Sequence, residues 1–220
     1  MRQIVYCAGF YILIAVLSYL LGSLNFGVIL SKYFRKDDVR THGSGNAGTT
    51  NMLRNYGKLW GVLTIIGDMA KVAVAIVAAF AILKATHLYS PLCELDENAD
   101  ILIKSFAGLF CVIGHIFPCF FSFKGGKGVA TSGGMVFMID WRIALILLAV
   151  FIIVVAVTKY VSLGSILMAV LYPVMTALFY QSFFITAVAA VFALIVIIAH
   201  RENIRKLINH TENKITDKKK

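Results

Sequence analysis

The sequence predicts an all-α integral membrane protein of about seven transmembrane helices, with its N-terminus outside and its C-terminus cytoplasmic. Three observations carry that expectation. Of the 220 residues, 60% are hydrophobic and only 15% charged, and the mean hydropathy is +0.84; soluble domains sit at roughly half apolar and a quarter charged. The apolar residues come in runs near the ~20 residues that cross a ~30 Å hydrocarbon core. The net charge of +10 gathers in loops between those runs, which reads as membrane topology and anionic partners and requires no nucleic acid.

The first apolar run, Ile4 to Leu30, has no signal-peptide cleavage pattern and reads as a retained span, with a polar interruption from Gly22 to Gly27. The basic loop after it carries Lys32, Arg35, Lys36 and Arg40. It belongs inside, which places the N-terminus outside. A second span, Gly57 to Ala85, contains Asp68 and Lys71 at i, i+3. Charges at that depth are expensive unless paired, so these two are expected to form a structural ion pair. The loop from Thr86 to Asp100 has Glu94, Asp96, Glu97 and Asp100 without a Lys or Arg, and belongs outside.

The third span, Ile101 to Phe121, holds Lys104 at its outer end and Cys111, His115 and Cys119 within. The cysteines read as small core residues, the histidine as a satisfied packing residue, and a Cys7–Cys93 disulfide is not expected. Asp140-Trp141-Arg142 divides the next apolar run into a short span, Gly128 to Ile139, and a second, Ile143 to Thr158. After an inner loop, residues 159–165, spans are expected at Ile166 to Tyr180 and Phe183 to Ala199. Residues 1–210 form one domain in this reading, and 211–220 a solvated basic cytoplasmic tail. The turn at 140 matters because only with it do the polar clusters at 41–54, 124–134, 159–165 and 200–205 reach the same face.

Those clusters suit phosphate. Gly43, Gly45 and Gly48 allow a backbone anion nest, to which Ser44, Asn46, Thr49, Thr50 and Asn51 add neutral donors and Arg54 a planar fork. Gly43-x-Gly45-x-x-Gly48 matches the dinucleotide fingerprint literally, but it follows a membrane segment instead of a strand, which rules that reading out. Lys124-Gly125-Gly126-Lys127-Gly128 is not a Walker loop, yet two lysines around glycines make a phosphate cradle. His200 and Asn203 share a helix face. Any one cluster is also what an inert glycine-rich turn or a charge-rule loop looks like. Their convergence on one face is the signal.

The stretches Gly43 to Arg54, Gly114-His115-Ile116-Phe117-Pro118 leading to Lys124 to Thr131, and His200-Arg201-Glu202-Asn203-Ile204 resemble, in order, the three motifs of the bacterial acyl-phosphate:glycerol-3-phosphate acyltransferases of the PlsY type. The resemblance runs from the first span to about Thr211. The chain departs from the usual pattern at Ala47 and Asn25, where that family usually or often has Pro, and at Thr49, where it often has Ala. The resemblance implies a seven-span inner-membrane enzyme that moves an acyl chain from acyl phosphate to the 1-hydroxyl of glycerol 3-phosphate, without acyl-CoA or acyl carrier protein as direct donor. Partners would be those two substrates, the lipid bilayer and the acyl-phosphate-forming enzyme of the same pathway. No cofactor or metal is required.

On this reading Gly43, Ser44, Gly45, Asn46 and Asn51 hold the acyl-phosphate head group. Arg54, Lys124 and Lys127 neutralise glycerol 3-phosphate, and Gly125, Gly126 and Gly128 let it approach. Ser162 or Ser165, with His200 and Asn203, orient its hydroxyls. The catalytic set is Ser44, Arg54, Lys127, His200 and Asn203, while Glu202, Asp68 and Lys71 are structural. Two rivals are weaker. A phosphate or organophosphate transporter would place its polar groups at the midplane of an internal repeat, and a CDP-alcohol phosphotransferase would need an array of metal-binding aspartates.

Overall fold

The computed structural model describes residues 2–88 and 97–216, with side chains from Gly9 onward; the expectations for Cys93, Glu94 and Asp96 concern positions outside the described residues, and that for Cys7 a side chain outside them. The chain folds as α1 (Arg2–Ser23), α2 (Phe26–Ile29, continued by a π turn over Leu30–Phe34), α3 (Thr49–Tyr56), α4 (Lys58–Ala85), α5 (Ala99–Ile116), α6 (Val129–Ile139), α7 (Trp141–Thr158), α8 (Val161–Tyr180), α9 (Phe183–Ala199) and α10 (Arg201–Ile208). There is no strand among the described residues.

Five segments are long and apolar enough to cross a bilayer: Gly9–Phe34, α4, Ala99–Phe121, α7 and α8. The pair α9 and α10, bent by 61°, passes the same test only when counted as one segment, and α6 is a shorter apolar helix. These are the seven apolar segments that the sequence predicts. One boundary is corrected: α8 begins at Val161, not at Ile166. The residues from Val161 to Ser165 are polar enough to resemble a loop, but Lys159 in the left-handed region ends α7 and lets the next helix start two residues later.

Each break has a local cause. At the end of α1, Asn25 takes an extended conformation and its Oδ1 accepts from Val28 N at 3.1 Å, capping α2. At residue 140, Asp140 caps α7 by accepting from Arg142 N at 2.9 Å, and its other oxygen accepts from the Arg142 guanidinium at 2.7 Å and from Tyr180 Oη at 2.9 Å. The apolar run therefore turns back here.

Helix α1 packs against α5 through glycine. A Cβ at Gly22 would lie 2.0 Å from Cys111 O, and one at Gly114 would lie 2.2 Å from Tyr19 O, so the backbones meet as small residues allow in membranes. The main core joins Ile14, Val72, Ile76, Val112, Met135 and Phe192. A smaller cluster of Val28, Val39, Ala47 and Met52 seats the loop of residues 39–52 on α2.

The break between α1 and α2 leaves carbonyls without helical partners, and Lys71 takes them: its Nζ donates to Gly22 O at 3.0 Å and Leu24 O at 3.1 Å. The same ammonium lies 2.9 Å from Asp68 Oδ1 and 2.8 Å from His115 Nδ1. The expected Asp68–Lys71 pair is present, and His115 is its third member, not an isolated packing residue. An ammonium has no lone pair, so His115 Nδ1 is the acceptor of that bond. The buried triad ties α1, α4 and α5 together.

Candidate active site

The loop of residues 38–54 is organised by Asn51. Its Nδ2 donates to Val39 O at 2.9 Å and His42 O at 3.0 Å, and its Oδ1 accepts from Ser44 N at 3.1 Å and Asn55 Nδ2 at 3.0 Å. That occupies the whole amide. Asn51 shapes the loop and has no group left for the head group to which the sequence reading assigned it. The turn passes through Gly43 and Gly45, with φ of +57° and +70°, as a nest requires. Gly48 caps α3 with an ordinary negative φ. Asn46 Oδ1 and Thr49 Oγ1 are buried atoms with no hydrogen-bond partner among the described residues, so this loop holds unused polar groups.

The loop of residues 121–128 folds back onto the end of α5. Gly125 N donates to Ile116 O at 3.2 Å and Gly126 N to His115 O at 3.1 Å. Neither position has room for a side chain: a Cβ at Gly125 would lie 2.0 Å from His115 O, and one at Gly126 would lie 2.2 Å from His115 Nε2. Gly128, at φ +81°, then starts α6. The outcome is that Lys127 is turned into the molecule, while the Lys124 side chain is exposed. Burial is the first cause that holds the Lys127 ammonium below the ordinary lysine pKa; Lys206 adds to it, and Glu212 and Glu202 oppose it.

The 61° bend between α9 and α10 falls at His200. The bend carries Asn203 to Lys127, whose Nζ donates to Asn203 Oδ1. Asn203 Nδ2 donates at 2.7 Å to Glu212 Oε1, and the same oxygen accepts from Ser162 Oγ at 2.7 Å. His200 is 2% exposed, with Nδ1 2.8 Å from Val196 O. A carbonyl accepts only, so Nδ1 carries the hydrogen and the neutral ring keeps its lone pair on Nε2. Ser165 Oγ donates to Val161 O at 2.9 Å within its own helix. Of the two serines, Ser162 joins the cluster.

Two expectations are corrected here. Glu202 is exposed, and the carboxylate that braces Asn203 is Glu212. The tail is not free in solvent over its described part: Ile215 N donates to Lys159 O at 2.9 Å, and Arg54 Nη2 donates to Lys214 O at 3.2 Å. Residues 211–216 therefore pass beside the cluster and link Arg54 to Lys159, just before α8. Sequence reading missed Glu212 because one acidic residue in a Lys-rich terminus looks solvated; its place four residues beyond the end of an amphipathic helix was the available signal.

Lys127, Asn203, Ser162 and Glu212 form one hydrogen-bonded cluster, with His200 on the neighbouring turn and Arg54 joined through the tail. Side chains from four distant stretches thus meet at one end of the bundle, with the Glu212 carboxylate as the shared acceptor of Ser162 and Asn203.

Comparison with known proteins points the same way. A family model described as glycerol-3-phosphate acyltransferase matches residues 12–210. A glycerol-3-phosphate acyltransferase of Clostridioides difficile is 41% identical over 95% of this chain and 97% of its own length, and one of Bacillus subtilis is 38% identical over 92% and 96%. Among solved structures, crystal structures of PlsY (YgiH), described as an integral membrane glycerol 3-phosphate acyltransferase, superpose with TM-scores of 0.80 for the glycerol 3-phosphate form and 0.77 for the lysophosphatidic acid form. Each covers 93% of this chain and 94% of the other, at 33% and 32% identity.

Proposed function

Since the chain belongs to the glycerol-3-phosphate acyltransferase family, we propose that it takes its acyl group from acyl phosphate and esterifies the 1-hydroxyl of sn-glycerol 3-phosphate, giving lysophosphatidate and inorganic phosphate. The reading places this site on the cytoplasmic side of a bacterial inner membrane, in one membrane domain of residues 1–210 that the segment from 211 closes. The acyl tail lies among lipid-facing helices, and the enzyme that forms acyl phosphate supplies the donor.

The observation that carries the proposal is the cluster of Lys127, Asn203 and Ser162, with His200 on the neighbouring turn, joined through the tail to Arg54 at the end of the glycine-rich stretch. Lys127 and Arg54 neutralise the phosphate of the acceptor. Ser162, Asn203 and His200 Nε2 take its hydroxyls. The turn of Gly43 to Asn46 receives the phosphate of the donor, with the Asn46 and Thr49 side chains beside it.

The acceptor hydroxyl oxygen attacks the acyl carbonyl carbon, and the bond from that carbon to the bridging oxygen breaks. The phosphate leaves with the bonding electrons and takes the hydroxyl proton, while His200 orients the hydroxyl. Acyl phosphate is an activated mixed anhydride, so the barrier is mainly one of approach and charge. Positioning supplies about 7–11 kcal/mol, and donors aimed at the developing oxyanion about 3–4 more. A dedicated base would add about 10²–10⁴-fold.

The test is phosphate release from palmitoyl phosphate by the purified protein, with and without glycerol 3-phosphate, for wild type, Arg54→Ala and His200→Ala. Release that depends on glycerol 3-phosphate and is lost in Arg54→Ala is expected. Release independent of glycerol 3-phosphate, or none from folded protein, overturns the proposal.

A further inference from the structure

The two phosphate loops, residues 41–54 and 121–128, are far apart in sequence and must be held in register for donor and acceptor to meet. Arg40, just before the first loop, reaches the second. Arg40 Nη1 donates to Phe121 O at 2.8 Å and to Lys124 O at 3.0 Å. The rest of its guanidinium is gripped by Asp38, with Nε donating to Oδ1 at 2.9 Å and Nη2 to Oδ2 at 2.8 Å. Asp38 Oδ1 also accepts from Arg40 N at 3.0 Å, and Lys32 Nζ stands 3.4 Å from Oδ2.

What Arg40 grips is an uncommon piece of backbone. Ser122 and Phe123 take φ of +56° and +57°, two successive residues with side chains in the left-handed region, which non-glycine residues rarely occupy. Phe121 O and Lys124 O are the carbonyls on either side of that pair. After Lys124 come Gly125 and Gly126, seated against His115, and then Lys127. The direction of the Lys127 side chain is thus set by a turn that needs outside support, and the guanidinium spans that turn.

We propose that Arg40 is a positioning residue for glycerol 3-phosphate: with Asp38 as its anchor, it clamps the turn of residues 121–124 and so aims Lys127 at the acceptor, without touching substrate itself. The inference rests on the reading of Lys127 as an acceptor-binding residue. It assigns Arg40 a role that its charge alone would not fill. Arg40 makes four such bonds from one planar fork, two to the carboxylate and two to the carbonyls, and a lysine in its place has only three donors and no fork.

The experiment compares wild type, Arg40→Lys and Asp38→Asn as full-length protein in detergent. It measures KM for glycerol 3-phosphate, KM for palmitoyl phosphate, the unfolding temperature, and hydrogen exchange of the backbone amides at 121–126. Arg40→Lys keeps the charge and the fold. It is expected to raise KM for glycerol 3-phosphate tenfold or more, to leave KM for palmitoyl phosphate within about twofold, and to speed exchange at 121–126. Asp38→Asn, which loosens the anchor but keeps the guanidinium, is expected to act in the same direction and less. Unchanged exchange at 121–126 in Arg40→Lys overturns the clamp whatever the activity. So does an equal rise in both KM values with a lowered unfolding temperature, which is what a merely structural arginine would give. A wild type without activity would overturn the proposed reaction, and the exchange measurement would still decide the clamp.

Discussion

Replacement of Gly125 by alanine tests the geometry of the acceptor loop. The new Cβ would lie 2.0 Å from His115 O, 2.7 Å from Pro118 Cδ and 2.9 Å from Ile116 O. Two of these neighbours are backbone at the end of α5 and the third is a proline ring, so none can swing aside. Ordinary van der Waals contact begins at 3.4 Å, so the loop must retreat by about 1.4 Å from His115 O. That retreat strains the bonds from Gly125 N to Ile116 O and from Gly126 N to His115 O, each worth about 1 kcal/mol. It also carries Lys127 away from Asn203. A misplacement of about 1 Å costs on the order of 10²-fold in rate, or about 2.7 kcal/mol. The assay is kcat/KM for glycerol 3-phosphate with palmitoyl phosphate saturating. Gly133→Ala is the control, because nothing lies within 4 Å of a Cβ there and alanine favours the helix by about 0.5–1 kcal/mol. A roughly hundredfold loss in Gly125→Ala with Gly133→Ala near wild type is expected. If Gly125→Ala stays within about threefold of wild type, the loop is not seated as described.

Three further predictions concern charge. Lys71→Met leaves Asp68 buried without its cation and removes the donor to Gly22 O and Leu24 O, so it should lower stability by about 3–5 kcal/mol, read as unfolding in detergent, while Asp68→Leu in the same chain should recover much of that. Because burial depresses the pKa of Lys127, its charge is present at low pH and lost as pH rises, earlier than for an ordinary lysine; KM for glycerol 3-phosphate should climb on the alkaline side below the usual lysine range, measured as a pH profile, and KM for palmitoyl phosphate should not follow it. Glu212→Ala removes the shared acceptor of Ser162 and Asn203 and should lower kcat/KM for glycerol 3-phosphate about tenfold to hundredfold, since bonds to charged groups are worth about 1.5–3 kcal/mol, whereas Glu202→Gln should remain within about twofold.

Much of this architecture is legible in the sequence because the bilayer enforces a simple rule. Apolar runs of fixed length must be helices, and the polar stretches between them stand out. The turn at Asp140 is legible for that reason, and Lys127, His200 and Asn203 stand out as polar residues at the ends of apolar runs. Other roles depend on contacts between distant stretches, which a sequence does not display. Arg40 reads as one more inner-loop charge, yet its guanidinium reaches a turn more than eighty residues away. His115 looks like an isolated histidine until α4 brings Lys71 beside it. Asn51 matches a head-group ligand by type, but folding occupies its entire amide within the loop. Glu212 joins the site only because the terminus turns back past α10 toward Ser162.

The most direct test of the central claim follows radiolabelled glycerol 3-phosphate into lipid, using purified protein in bilayers offered palmitoyl phosphate or palmitoyl-CoA in the presence of a chelator. Label in 1-acylglycerol 3-phosphate with palmitoyl phosphate, and none with palmitoyl-CoA, is the result this account predicts. Label that appears only with palmitoyl-CoA, or no labelled lipid from folded protein with either donor, would contradict it.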